Sequence, residues 1–320
     1  MKSITAIKNL KDKTVLVRVD WNVPIKNGKI TDTNRILKSF ETLTYLLKKG
    51  ARVIAISHLG DETDTLRPVV NFVKKHISHM ACIPEVTGER VIEAVESLKS
   101  GELLVLENLR TEAGEKENST EFAKALASLA DMYVNDAFPV SHRNHASLVK
   151  VPKLLPSYAG FQLMREVKNL DLVTKNKKKP FLFVLGGAKF DTKLPLLKEY
   201  IKKADFVFLG GALANTALKH AGFEVGTSLV EEPTVAWNTL LKDPKLLLPI
   251  DVIVRTSSGA KEIKTLYEVS KTDFIADAGP QTIELLSAHA SISKLVVWNG
   301  PFGLYEDGFD WATKEFLKEL

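Results

Sequence analysis

The chain has 320 residues, 45% hydrophobic and 26% charged, a globular composition long enough to bury two cores. Its net charge of +5 suits an anionic small molecule, nucleic acid or an acidic partner, and alone separates none of these. The single cysteine, Cys82, excludes an intramolecular disulfide framework and a thiolate zinc cluster; with no run of membrane-spanning length and no apolar signal-peptide core, a cytoplasmic protein without a membrane partner is expected.

In chain order, short Val- and Ile-rich runs predict buried strands at Thr14 to Val19, Arg52 to Ile56, Leu103 to Leu106 and Met132 to Val134. Helical spacing fills the gaps. After Thr33, a candidate N-cap, Ile36, Leu37, Phe40, Leu43, Leu46 and Leu47 make one stripe that Gly50 ends, and further crossovers are predicted near Val69 to Ile77, Val91 to Leu98 and Phe122 to Leu129. Gly160 to Val173 reads as a rigid connecting helix, followed by a Lys-rich boundary, Lys175 to Lys179, closed by Pro180. The second half repeats the scheme with strands at Phe181 to Leu185, Phe206 to Leu209, Val252 to Val254, Phe274 to Ala276 and Leu295 to Trp298. Strand and helix in alternation predict parallel sheets covered on both faces.

Ligands of such sheets collect at the carboxyl ends of strands, where loops and helix N-termini offer free backbone N–H groups. The first-half strands run out into Arg18-Val19-Asp20-Trp21-Asn22, Ser57-His58-Leu59-Gly60, Glu107-Asn108-Leu109-Arg110 and Asn135-Asp136-Ala137-Phe138. Ser141 to His145, with Arg143, follows, and Arg35 opens the first helix. Arginines converging with a histidine suit a small phosphorylated acid, because guanidinium forks bind phosphate and carboxylate oxygens in pairs. Asp20 and Asn22 suit that acid's hydroxyl.

The second half ends its strands in glycines: Gly186-Gly187-Ala188-Lys189, Gly210-Gly211-Ala212 and Asn299-Gly300-Pro301-Phe302-Gly303. Glycine lets a phosphate or a ring approach the backbone, although paired glycines equally make tight strand-to-helix turns. Lys189 and Lys193, four apart on a helix beginning near Gly187, would present two ammonium groups to a polyphosphate. Neither G-x-x-x-x-G-K-[ST] nor a post-strand G-x-G-x-x-G is present, and no Cys/His set has zinc spacing; His142 and His145 stand three apart, as a metal pair on a helix would.

Taken in order, Val15 to Pro24, Ile30 to Ile36, Ser57 to Gly60, Glu107 to Arg110, Val134 to Phe138, His142 to Ser147, Gly186 to Lys189 and Val297 to Gly303 resemble phosphoglycerate kinase across essentially the whole chain. That resemblance implies two Rossmann-like doubly wound parallel-sheet domains joined by an interdomain helix: 1–155 for 3-phosphoglycerate, 156–175 as hinge and 176–320 for the nucleotide. It implies a glycolytic kinase of the cytoplasm, monomeric, transferring phosphoryl between 1,3-bisphosphoglycerate with ADP and 3-phosphoglycerate with ATP, Mg²⁺ accompanying the nucleotide, and no nucleic acid as partner. Carried over, Asp20, Asn22, Arg35, His58, Arg110 and Arg143 hold the phosphoglycerate, and Arg35 with Lys189 attends the transferred group. Gly187, Lys189, Lys193, Gly210, Gly211, Asn299, Pro301 and Glu306 hold the nucleotide; no residue is assigned as a metal ligand.

The resemblance has two departures. Asp61 stands where the family has an arginine, in a shortened segment, and the family continues past the stretch matching Trp311 to Leu320 into a triple-glycine loop with Asp-Thr and a returning tail that this sequence does not contain. Two readings therefore stand side by side: the kinase, or a piece of one, and a catalytically silent phosphoglycerate-binding protein.

Overall fold

The computed structural model describes residues 1–174, 178–188, 190–231 and 237–320, in two compact units, Met1–Leu172 and Val173–Leu320. In the first unit the strands of the main sheet are β1 (Thr14–Arg18), β2 (Arg52–Ile56), β3 (Met80–Cys82), β4 (Leu103–Val105), β5 (Met132–Asn135) and β6 (Ser157–Ala159). They form one six-stranded sheet in the order β3-β4-β2-β1-β5-β6, every pair parallel. Because strand side chains alternate, Val15, Val17, Val53 and Ala55 face one core and Leu16, Ile54 and Ile56 the other. Helices α1 (Asn34–Lys48) and α2 (Arg67–Val73) cover the first face; α3 (Glu89–Glu96) and α4 (Thr120–Ala127) cover the second.

The α1 stripe buries Ile36, Leu43 and Leu46, while Leu37 is exposed. Thr33 makes no side-chain cap; Asp32 Oδ1 accepts from the Asn34 N–H at 2.8 Å instead. At the other end Gly50 takes φ +77°, a left-handed conformation that suits glycine. Helix α5 (Phe161–Thr174) follows β6, and its first N–H, on Phe161, donates to Thr42 Oγ1 of α1 at 2.9 Å. Of the Lys-rich boundary segment, residues 175–177 lie outside the described residues.

The second unit carries β7 (Phe181–Leu185), α6 (Phe190–Lys203), β8 (Phe206–Leu209), α7 (Gly211–His220), β9 (Leu246–Leu247), β10 (Asp251–Arg255), β11 (Lys261–Thr265), β12 (Phe274–Ala278), α8 (Pro280–Ile292), β13 (Leu295–Asn299) and α9 (Trp311–Lys318). A parallel sheet runs β9-β8-β7-β13, with α6 and α7 on one face and α8 and α9 on the other. Here the structure corrects the expected repeat. The strands predicted at Val252 to Val254 and Phe274 to Ala276 are β10 and β12, and they join β11 in a separate antiparallel sheet with its own core around Leu218, Val254 and Ile275. The helix expected to begin near Gly187 begins at Phe190. Among the described residues no helix is long and apolar enough to cross a membrane.

Candidate functional site

Two clusters occupy the carboxyl ends of the parallel strands, one in each unit. In the first, Asp20 follows β1 and is almost buried; its Oδ2 lies 3.1 Å from Arg35 Nη1, and its Oδ1 accepts from the Asn22 N–H at 3.2 Å. Asn22 Oδ1 in turn accepts from the Gly60 N–H at 2.9 Å, tying the β1 and β2 loops together. Trp21 packs inward between these polar neighbours, its backbone N–H on Ser57 Oγ and its indole N–H on Ser39 Oγ.

His58, Arg110 and Arg143 form the adjoining group. Arg110 sits on a short 3₁₀ turn, Leu109–Thr111, and donates from Nη1 to the Gly60 carbonyl, while its Nε is buried without a hydrogen-bond acceptor. Desolvation, followed by the neighbouring charges of Arg143 and Arg18, lowers the Arg110 pKa. Arg143, on the turn after Phe138–Val140, also acts on Arg18, His58 and His145. Burial, then the positive charges of Arg18, Arg110 and Arg143, lowers the His58 pKa to about 2, so the ring is neutral. Such crowding of donors favours an anion with several oxygens.

What holds these groups is not legible in the sequence. Arg18, read as part of a polar strand ending, is completely buried. Its Nη2 donates to His58 Nδ1 at 2.9 Å, its Nη1 to the Val19 carbonyl at 2.6 Å and its Nε to Ser147 Oγ at 3.1 Å. Ser147 Oγ donates to the equally buried Glu115 at 2.6 Å. Asn108 fixes the shortened segment: its Nδ2 reaches the carbonyls of Leu59, Asp61 and Asp64, and its Oδ1 accepts from the N–H groups of Leu59 and Arg110. Asp61 accepts from Thr63 and feels Lys116 and Arg110, which keeps its carboxylate ionised. His142 and His145 share no helix; His145 is the N-cap of Ala146–Val149, and among the described residues no group of three or more His, Cys, Asp or Glu side chains could hold a metal ion.

In the second unit the glycine turns interlock. Gly211, at φ +61°, has no room for a Cβ, which would stand 2.6 Å from the Gly187 carbonyl oxygen and 2.8 Å from its nitrogen. Gly300 at φ +91° is equally close to the Gly186 carbonyl, and a Cβ on Gly186 would meet the Pro301 carbonyl at 2.3 Å. The glycines are thus required by backbone packing as well as by ligand approach. Lys193 bridges the same turns, its Nζ donating to the carbonyl and Oδ1 of Asn299; desolvation lowers its pKa. Beside them a cavity of about 280 Å³ is lined by Gly187, Gly210, Gly211, Leu229, Pro301 and Glu306 among others. Phe302, stacked on Trp298 at 4.8 Å, closes its wall. Lys189 lies outside the described residues.

A unit rich in guanidinium donors and a unit with glycine turns, a lysine and a largely apolar cavity define a phosphotransferase of two doubly wound α/β units. The family model for phosphoglycerate kinase matches residues 4–320. A phosphoglycerate kinase of Wolbachia pipientis is 40% identical, the match covering 96% of this chain and 81% of that protein; one of Thermosipho africanus is 39% identical over the same shares. Solved phosphoglycerate kinase structures agree in fold: that from Pyrococcus horikoshii has a TM-score of 0.89 at 29% identity, covering 100% of this chain and 85% of the other, and that from Coxiella burnetii 0.81 at 32%, covering 99% and 84%. The chain belongs to the phosphoglycerate kinase family. Its chemistry is that of a glycolytic kinase, reversible phosphoryl transfer between 1,3-bisphosphoglycerate with ADP and 3-phosphoglycerate with ATP, and the silent-binder alternative is not favoured.

Proposed function

We propose that the two clusters divide this reaction. Asp20, Asn22, Arg35, His58, Arg110 and Arg143 bind the phosphoglycerate, within a domain spanning 1–155. Gly187, Lys189, Lys193, Gly210, Gly211, Asn299, Pro301 and Glu306 bind ATP or ADP, which brings its own Mg²⁺ as part of the substrate, within 176–320. The observation that carries this reading is the crowding of Arg110, Arg143 and neutral His58 at one set of strand ends, with donors on Arg110 and His58 left without acceptors.

The nucleophile is a carboxylate or an ADP phosphate oxygen, already ionised near neutral pH, so no general base is needed. Catalysis then reduces to aligning the two oxygens and surrounding the moving phosphoryl with positive charge, the role of Arg35 and Lys189. Transfer requires the two substrates to meet, with 156–175, the stretch that holds β6 and α5, as the hinge. Small-angle scattering tests closure: a smaller radius with both ligands supports it, and an unchanged profile removes it. Calorimetry tests the division of sites. Arg110→Ala should lose 3-phosphoglycerate binding and keep ADP binding; loss of both, or of neither, contradicts the assignment. The enzyme works as a cytoplasmic monomer, which sedimentation at the single-chain mass and cell fractionation test directly.

A further inference from the structure

Arg18 has no place among the residues assigned to substrate, yet it is a fully buried guanidinium at the floor of the first cluster. Removing such a charge from water is costly, and it is offset here by a directed chain of hydrogen bonds. Glu115, itself fully buried, accepts from the Ser147 N–H at 2.9 Å and from its hydroxyl at 2.6 Å. Having given its one proton to Glu115, the Ser147 hydroxyl can only accept from Arg18 Nε. Arg18 has donors and no acceptor, so its contact at 2.9 Å with His58 Nδ1 has one possible direction. The proton of the neutral imidazole must therefore sit on Nε2, and Nε2 is buried without a partner.

We infer that Arg18 is a positioning residue for the phosphoglycerate pocket: by donating to Nδ1 it locks His58 in the neutral Nε2–H tautomer and reserves that N–H for a substrate oxygen. The inference rests on the proposed reading of this pocket. Without Arg18 the ring could turn or place its proton on Nδ1, presenting a lone pair to an anion where a donor is required. The groups acting on the ring are Arg18, Arg110, Arg143 and His145, cationic or neutral, and they oppose a second proton on it. Glu115 acts from the far side of Arg18 through Ser147.

Nitrogen-15 NMR of the imidazole, assigned by difference with His58→Gln, reads the tautomer in the free protein. Wild type should show a protonated Nε2 and bare Nδ1, unchanged from about pH 5 to about pH 8. Arg18→Lys, which keeps a charge but loses the rigid fork, should show mixed tautomers and a titrating ring, and bind 3-phosphoglycerate roughly ten- to a hundred-fold more weakly with ADP affinity unchanged. Should that variant fail to fold, Ser147→Ala, which removes the Nε acceptor and the hydroxyl donor to Glu115 but keeps the Ser147 N–H bond to Glu115, should shift the same resonances and weaken the same ligand. A proton on Nδ1 in wild type, or ordinary titration near 6.5, overturns the role of Arg18 whatever the ligand does. Failure of wild type to bind 3-phosphoglycerate counts instead against the pocket's reading, since the tautomer is measured without ligand.

Discussion

Arg35 and Asp20 stand 3.1 Å apart, the carboxylate nearly buried and the guanidinium 48% exposed. Asp20 aims the arginine without consuming it: one Nη1 contact leaves the remaining donors of the fork for a ligand. A pair this exposed adds little stability, about 0.5 kcal/mol. Arg35→Glu should therefore leave the melting temperature nearly unchanged and lower kcat by about a hundred-fold or more, with ADP affinity intact. Steady-state kinetics beside a calorimetric ADP titration checks this; unchanged turnover removes Arg35 from the mechanism.

Gly211 and Gly222 give a matched comparison. Both have positive φ, +61° and +92°, but a Cβ on Gly211 collides with Gly187 whereas one on Gly222 meets nothing within 4 Å. Gly222→Ala should cost about 1 kcal/mol of backbone strain and spare nucleotide binding. Gly211→Ala should cost more, about 2–3 kcal/mol, and abolish ADP binding by pushing the two glycine turns apart. Thermal melts and ADP titrations of both variants decide the matter.

Asn108 holds five backbone groups at once, so its loss frees the 59–64 segment together with the Arg110 turn. Asn108→Ala should destabilise the first unit by roughly 3 kcal/mol, since several buried groups lose partners together. Arg110→Ala, by contrast, should weaken 3-phosphoglycerate with little change in stability. Urea denaturation with ligand titration separates a clamp from a ligand-binding group.

Asp136 caps the start of α5, its Oδ1 accepting from the Leu163 N–H at 3.1 Å, and burial raises its pKa to about 6. The folded state then holds a proton that the unfolded carboxyl releases near 3.8, so stability falls as pH rises from about 4 to about 6 and stays lower above. Asp136→Asn keeps the acceptor and removes the titration; its advantage over wild type should grow across that window to at most about 3 kcal/mol. Asp277 is raised to about 6 as well, so the difference between variant and parent is the quantity to plot. A pH-independent difference contradicts the assignment.

The strands of both parallel sheets were legible because a strand covered on both faces is a continuous apolar run, as β1 and β7 are. The edge strands β3, β6, β9 and β11 were not: they are short or largely exposed and half-exposed, and lack that signature. Strand direction was also hidden in β10 and β12. The clue was the connection from Arg255 to Lys261, through Gly259 at φ +84°, too short for a crossover helix and fit for an antiparallel hairpin. At the site, the polar residues next to strand ends stand out in the sequence by their chemistry. Arg18, Glu115 and Ser147 do not, because each is tolerated in the core only through the other two, and those partners lie 129 and 32 positions apart.

Phosphorus-31 NMR of the purified chain with Mg-ATP and 3-phosphoglycerate tests the division of labour most directly. An acyl-phosphate resonance should grow as ADP appears and be lost in Arg35→Glu and in Lys193→Ala, with 3-phosphoglycerate binding retained only in the second. An acyl phosphate formed equally well by both variants, or ATP converted only to inorganic phosphate while both ligands are bound, would contradict it.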